Sequence, residues 1–370
     1  MAAPDRRRRA RTAGLVGAIV GVAAAGVAGG IAVQKVLVRN TKTAPDPYQD
    51  EPFDALPYDS APAVTTDEGV DLRVEVVEPP AAGKRSRAKP DLTVVLVHGY
   101  ALDMGTFHFQ RRALAESVSP RYRVVAYDQP GHGRSGRLAA GDYSIQALGS
   151  ALWRVIETVA PDGPLALVGH SMGAMTIMAL AEQHPELFGK RGRVRAVAMI
   201  STSAGKLDEV PLGLPNVLPR ARARLLPVLA GAAKLTPGVI DRARGAATDV
   251  AYLLTRRYGF GGQPPSAAVV AYVERMNART SIEVIAAYLG TLFTHSRYEA
   301  LNALRHTDVL VVAGDKDLFT PLAHADEIAR LLPSAELVVV PDSGHMALLE
   351  YPDVVDTPLL ALLERAAKKR

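Results

Sequence analysis

Short apolar runs recur along the chain at intervals too long for hairpins, at 92–97 (LTVVLV), 122–127 (YRVVAY), 165–168 (LALV), 194–201, 309–313 and 335–340. Runs of this length without polar alternation mark strands covered on both faces, as in a parallel sheet. Between them the apolar spacing becomes helical, at 105–119, 144–159 and 174–184. Strand, helix, strand alternation predicts an α/β chain with a doubly wound, mostly parallel sheet. One stretch differs: 67–77 alternates apolar and polar residues and reads as an edge hairpin, followed by a basic turn at 81–90.

Three segments break the alternation. Residues 204–305 hold apolar helical runs with Arg220, Arg222, Arg224, Arg242 and Arg244 among them and breaks at Pro219, Pro227, Pro237, Pro264 and Pro265. They read as a helical cap inserted between a first core part, 64–203, and a second, 306–370. Residues 13–33 carry no charge and are long enough to cross a bilayer as one helix. More basic residues precede that stretch (Arg6 to Arg9, Arg11) than follow it closely (Lys35, Arg39, Lys42), which by the positive-inside rule favours a cytoplasmic N-terminus and an extracytoplasmic folded part. A cleaved signal peptide, releasing a secreted protein, and a buried helix are the competing readings. Residues 1–39 are thus a basic tail and anchor-like segment, and 40–63, rich in Pro and Asp, an extended tether.

Composition narrows the classes. With 370 residues, 48% of them hydrophobic, the chain has room for one large α/β domain and an insertion. The net charge of +5 is owed largely to the N-terminal arginines, so no nucleic-acid partner is expected for the folded part. Cysteine is absent, which excludes disulfides, thiolate nucleophiles and Cys-ligated metals. Trp153, the only tryptophan, is expected to fill the core under the 144–159 helix.

The candidate chemistry centres on Gly169-His-Ser171-Met-Gly173, where the 165–168 strand runs into an apolar helix. In this setting a G-x-S-x-G sequence is a nucleophile elbow: the serine sits on a sharp turn, and small residues on either side let strand and helix approach. The helix starts at the serine, so the N–H of Met172 points to where an oxyanion would form. The strand at 92–97 ends in His98-Gly99-Tyr100, and a glycine there lets the Tyr100 N–H face the same cleft as a second donor.

A serine hydroxyl needs a base, and the base a carboxylate. Of the nine histidines, His345 stands apart, in Pro341-Asp-Ser-Gly-His-Met-Ala347 just past a strand. Two aspartates compete for the acid, Asp315 and Asp317, in Gly314-Asp-Lys-Asp317-Leu-Phe-Thr-Pro321 after the 309–313 strand. Glu350 reads as a helix-start or ion-pairing group. Thr320-Pro321 reads as a helix N-cap with proline in first position, and Thr280-Ser-Ile-Glu283 as a capping box.

With His98-Gly99, Asp128-x-x-Gly131-x-Gly133-x-Ser135 and Gly169-His-Ser-Met-Gly173 in this order, the chain resembles the α/β-hydrolase superfamily, in its lipase, esterase and cofactor-free haloperoxidase branch. The resemblance spans about residues 64–365. It implies His345 as the base and, by the family's spacing of glycine, acid and Thr-Pro, Asp317 as the acid. Ala174 departs from the pattern, since many relatives have a third glycine there. The implied activity is hydrolysis of a carboxylic ester with an apolar or lipid-like acyl group, through an acyl-enzyme, with no cofactor or metal. Perhydrolase, C–C hydrolase and thioesterase activities share the triad, and a membrane-anchored binding protein without turnover is the reading from another class.

Overall fold

The computed structural model describes residues 46–80, 89–138, 142–210, 252–262 and 264–369. The uncharged stretch at 13–33, most of the basic turn at 81–90, and the cap segment with the five arginines lie outside the described residues. Among the described residues no helix is long and apolar enough to cross a membrane.

The strands are β1 (Val64–Thr65), β2 (Asp71–Leu72), β3 (Val74–Val77), β4 (Leu92–Val97), β5 (Tyr122–Tyr127), β6 (Leu165–His170), β7 (Val194–Ile200), β8 (Asp308–Gly314) and β9 (Glu336–Val340). Seven form one sheet in the order β3-β5-β4-β6-β7-β8-β9, parallel except for β3 on β5. The order turns back at β4, which pairs with β5 on one side and β6 on the other, and a crevice opens at such a switch point. The 67–77 alternation divides at Arg73. Before it, β1 and β2 form a separate two-stranded ribbon, and after it β3 joins the sheet edge. The Arg73 N–H is taken by the Ser135 hydroxyl and its carbonyl by the Asp128 N–H, so neither strand can continue the other.

The helices are α1 (His108–Ala115), α2 (Ile145–Val159), α3 (Met172–Gln183), α4 (Ala267–Arg279), α5 (Ile282–Phe293), α6 (Leu322–Leu331), α7 (Ala347–Glu350) and α8 (Pro352–Lys368). A further helical segment lies at 252–259. The helix expected from 105 begins as a 3-10 turn and ends at Ala115. Alternate residues of the central strands feed two cores: Val95, Val97, Leu165 and Leu167 meet α2, α3 and α6, whereas Val94, Leu96, Ala166 and Val168 meet α1, α4, α7 and α8. A strand buried on both faces therefore needs no polar position, which is why these runs read as continuous. Trp153 does not fill the core. It is half-buried and stacks on His184, with ring centroids 4.3 Å apart, because a ring of its size is accommodated at the rim of the well-packed α2–α3 contact.

Two helix starts also differ from expectation. The α5 cap is Ser281, whose hydroxyl accepts the Val284 N–H, and not Thr280 one residue earlier. At α6 the cap position is Pro321 itself, since the Thr320 hydroxyl is turned to Asp317.

Candidate active site

At the end of β6 the backbone of Ser171 takes φ +52° and ψ −119°, a left-handed conformation that a residue other than glycine adopts only under constraint. The constraint is the packing of β6, β4 and α3. A Cβ at Gly169 would stand 2.5 Å from the Ala174 nitrogen, and one at Gly173 only 1.9 Å from the Val97 carbonyl oxygen. Helix and strands thus meet backbone to backbone, and no side chain larger than hydrogen fits at either point. Ala174 is itself fully buried and accommodated. The Ser171 N–H donates to Ile200, and its carbonyl accepts the Thr202 hydroxyl, so the turn is held at both ends.

His345 lies on the loop after β9, with Nε2 2.9 Å from Ser171 Oγ and Nδ1 2.8 Å from Asp317 Oδ2. A carboxylate only accepts, so Nδ1 carries the ring proton and Nε2 is left free to accept from the serine hydroxyl. Ser171 and His345 keep 9% and 8% of their surface, enough for a reactant to reach them, while Asp317 keeps 3%. Asp317 Oδ1 accepts the N–H groups of Phe319 and Thr320, and Oδ2 accepts the Thr320 hydroxyl as well as His345. Burial pushes this carboxyl up, but the attraction of His345 and the bonds from Thr320 outweigh it, and the group is held below the usual carboxylate range. Asp315, by contrast, is exposed and contributes only a backbone N–H to Val340.

The two proposed oxyanion donors have no acceptor among the described residues. The Met172 N–H opens α3, where the first turn leaves its donors unpaired. The Tyr100 N–H lies beside the cleft, and its side-chain hydroxyl donates to the Ile285 carbonyl of α5. His98 is buried and serves as a brace: its ring contacts the Gly99 carbonyl and accepts the Gln129 N–H. Burial lowers its pKa to about 4, so it stays neutral.

Ser171, His345 and Tyr100 open into a cavity of about 360 Å³. Its walls come from the core (Met175, Phe319, Met346), the 252–259 segment (Leu254, Tyr258), α4 (Val273, Asn277) and α5 (Ile285, Leu289, Leu292, Phe293). Among the described residues no side chain on this wall carries a formal charge, apart from the ionisable His345. The cavity is therefore suited to an uncharged apolar group.

Three residues that the sequence did not single out for function hold this site. His170 Nε2 lies 2.9 Å from the His345 carbonyl and so fixes the backbone of His345 from the strand that leads into Ser171. Gln129, fully buried, bonds to His98 and to Thr176. Glu350 pairs with no cation among the described residues: it ends α7, and its carboxylate gathers the N–H groups of Gly261, Gly262 and Gly344 and the Ser343 hydroxyl. A histidine next to the nucleophile was the only one of the three with a visible signal.

A family profile described as alpha/beta hydrolase fold matches residues 93–352. The chain is 27% identical over 269 residues to a pimeloyl-[acyl-carrier protein] methyl ester esterase of Nitrosomonas europaea, covering 71% of this chain and 92% of that protein. It is also 27% identical over 280 residues to polyketide synthase ThaQ of Burkholderia thailandensis, where it covers 74% of this chain but only 12% of the synthase. Among solved structures, an esterase of Thermogutta terrifontis superposes with a TM-score of 0.63 at 22% identity, covering 84% of this chain and 100% of that one.

Proposed function

Because this chain belongs to the alpha/beta hydrolase fold family, we propose that it is an esterase that cleaves carboxylic esters of apolar, lipid-like acids through Ser171, His345 and Asp317. The observation that carries the reading is the unbroken chain from Ser171 Oγ through His345 to Asp317, opening on an apolar cavity. Ser171 Oγ attacks the ester carbonyl as His345 Nε2 takes its proton, and Asp317 stabilises the imidazolium. The N–H groups of Tyr100 and Met172 receive the oxyanion. His345 then protonates the leaving alcohol, and water, deprotonated by the same ring, releases the acid from the acyl-enzyme. The apolar wall sets the acyl preference, since a charged chain would be stripped of water there without a partner.

The test is labelling of the full chain by a fluorophosphonate probe, with turnover of p-nitrophenyl esters of several chain lengths. Wild type should label and turn over medium-chain esters, and Ser171→Ala and His345→Ala should do neither. A folded wild type that neither labels nor hydrolyses any ester sinks the reading and leaves a binding protein. The uncharged run at 13–33 and its arginine flank support a further element, a single-pass anchor that holds the enzyme on the outer side of the cell membrane. Protease added to intact cells should then remove the catalytic part, and its protection would overturn that placement.

A further inference from the structure

We propose that Gln129 is a positioning residue that holds the two oxyanion donors in register. The role rests on the esterase reading above. The argument starts from one peptide group. The Gly99 carbonyl and the Tyr100 N–H belong to the same planar trans unit and point in opposite directions. Whatever holds the carbonyl therefore aims the N–H. Two donors reach that carbonyl, the His98 ring through Nδ1 at 2.8 Å and, less closely, the Leu102 N–H at 3.4 Å.

Only one tautomer of His98 does this. The Gln129 N–H donates to Nε2 at 2.8 Å, so Nε2 is unprotonated and the proton of the neutral ring sits on Nδ1, facing the Gly99 carbonyl. The Gln129 side chain adds a second hold, its Nε2 donating to the His98 carbonyl at 2.6 Å. One glutamine thus grips residue 98 by ring and by backbone.

The other end of its amide reaches the nucleophile helix. Gln129 Oε1 accepts the Thr176 hydroxyl at 2.8 Å, and that hydroxyl also lies 3.0 Å from the carbonyl of Met172. Gln129 and Thr176 are both fully buried. The amide is consequently a strut between the turn that carries the Tyr100 N–H and the first turn of α3, which carries the Met172 N–H. An oxyanion hole works by donors fixed before the charge develops, so a loosened strut costs transition-state binding and leaves ground-state binding intact.

The experiment compares wild type with Gln129→Met, Gln129→Glu and Thr176→Val, all as full chains, using a p-nitrophenyl ester and a boronic acid that mimics the tetrahedral adduct. Gln129→Met keeps the size and the backbone N–H but removes both side-chain bonds. Its kcat should fall about 10- to 100-fold, less than for loss of a whole donor, with KM nearly unchanged and boronate affinity falling in step with kcat. In Gln129→Glu the neutral carboxyl can donate to the His98 carbonyl and the ionised one cannot, so its kcat relative to wild type should rise as pH falls. Unchanged kcat in folded Gln129→Met, or a loss that appears in KM and leaves boronate affinity untouched, overturns the proposal. If Gln129→Met does not fold, Thr176→Val decides the question: a few-fold kcat loss with constant KM supports the strut, and wild-type kcat overturns it. Failure of the wild type to hydrolyse any ester would instead count against the esterase reading, so the two failures are told apart.

Discussion

The nucleophile elbow and the helices that roof it are built on opposite principles. At the elbow, β4, β6 and α3 meet through backbone atoms, with glycine required at two points and every neighbouring residue buried. In the roof, the pocket walls of α4, α5 and the 252–259 segment are mostly apolar side chains, with Thr255 and Asn277 among them, and some are well exposed, such as Leu254 at 52%. At Gly169 and Gly173 the elbow offers no substitution that leaves its geometry alone. The roof offers many that change only shape and volume. On the proposed esterase reading, chemistry is thereby tied to the tightly packed part of the molecule and substrate choice to the adjustable one.

The strongest way to break this contrast is Gly173→Ala. Its Cβ would overlap the Val97 carbonyl, and the expected loss is about 3 kcal/mol or more of stability together with all turnover, read by denaturant melts and ester assay. A folded, active Gly173→Ala enzyme would show the elbow to be as adjustable as the roof. Asp317→Asn should leave the fold in place but lower kcat by about 10³- to 10⁴-fold, since the amide oxygen is claimed by the Phe319 and Thr320 N–H groups and the NH2 turned to His345 can neither accept Nδ1–H nor stabilise the imidazolium. A loss below tenfold would remove Asp317 from the role given to it.

A third prediction concerns pH. Burial holds His98 and His295 neutral down to about 4 and His132 and His170 down to about 3, whereas the unfolded chain takes up these protons near 6.5. Their contribution to stability is complete above about 6.5 and is lost as pH falls from there toward 4. Asp128 works the other way: burial, with the charge of Asp103, pushes it up to about 7, so its cost grows as pH rises from 3.8 to 7. Asp356, which burial pushes up to about 6, acts in the same direction as Asp128, and the four histidines outweigh the two carboxyls. Urea midpoints should therefore drop between pH 6.5 and 4.5, and Asp128→Asn should make that drop steeper; a flat profile would mean these histidines protonate in the fold.

Smaller effects belong to the roof and its attachment. Glu350→Gln loses an acceptor shared by three N–H groups, with about 1 to 2 kcal/mol lower stability expected and the base loop loosened several-fold in kcat. Leu289→Ala should move the preferred acyl chain to a longer one with kcat on the best ester within about threefold, each added methylene being worth about 1 kcal/mol. A Leu289→Ala variant that loses activity on every chain length would place the roof in the chemistry.

Much of the sheet was legible because a strand buried on both faces has to be apolar throughout, and the elbow because its glycines answer a steric demand local in sequence. Asp317 and His345, which the structure brings into one hydrogen-bonded chain with Ser171, stood out as candidates through the short motifs around them. Gln129 could not: in Asp-Gln-Pro-Gly it reads as a turn residue, and its partners His98 and Thr176 are 31 and 47 positions away. Glu350 was misjudged for a related reason, since an acid in a sequence reveals nothing about whether cations or backbone N–H groups surround it. The roof stayed vague because an apolar face at helical spacing is the same whether it packs on a core or lines a cavity. Trp153 shows the converse, a large apolar residue set at a rim by the shape of its neighbours.

The carboxylate of Glu350 has one more consequence, for anyone who would transplant a roof from a related enzyme. It holds the roof at Gly261 and Gly262, between the 252–259 segment and α4, and the loop of His345 at Gly344 by the same two oxygens. A graft that replaces the roof on either side of Gly261 and Gly262 but spares those two residues leaves the mooring of His345 intact. A graft that runs through Gly261 and Gly262 imports a foreign chain into that mooring, and the donor roof then arrives with a displaced His345 however well its pocket was chosen.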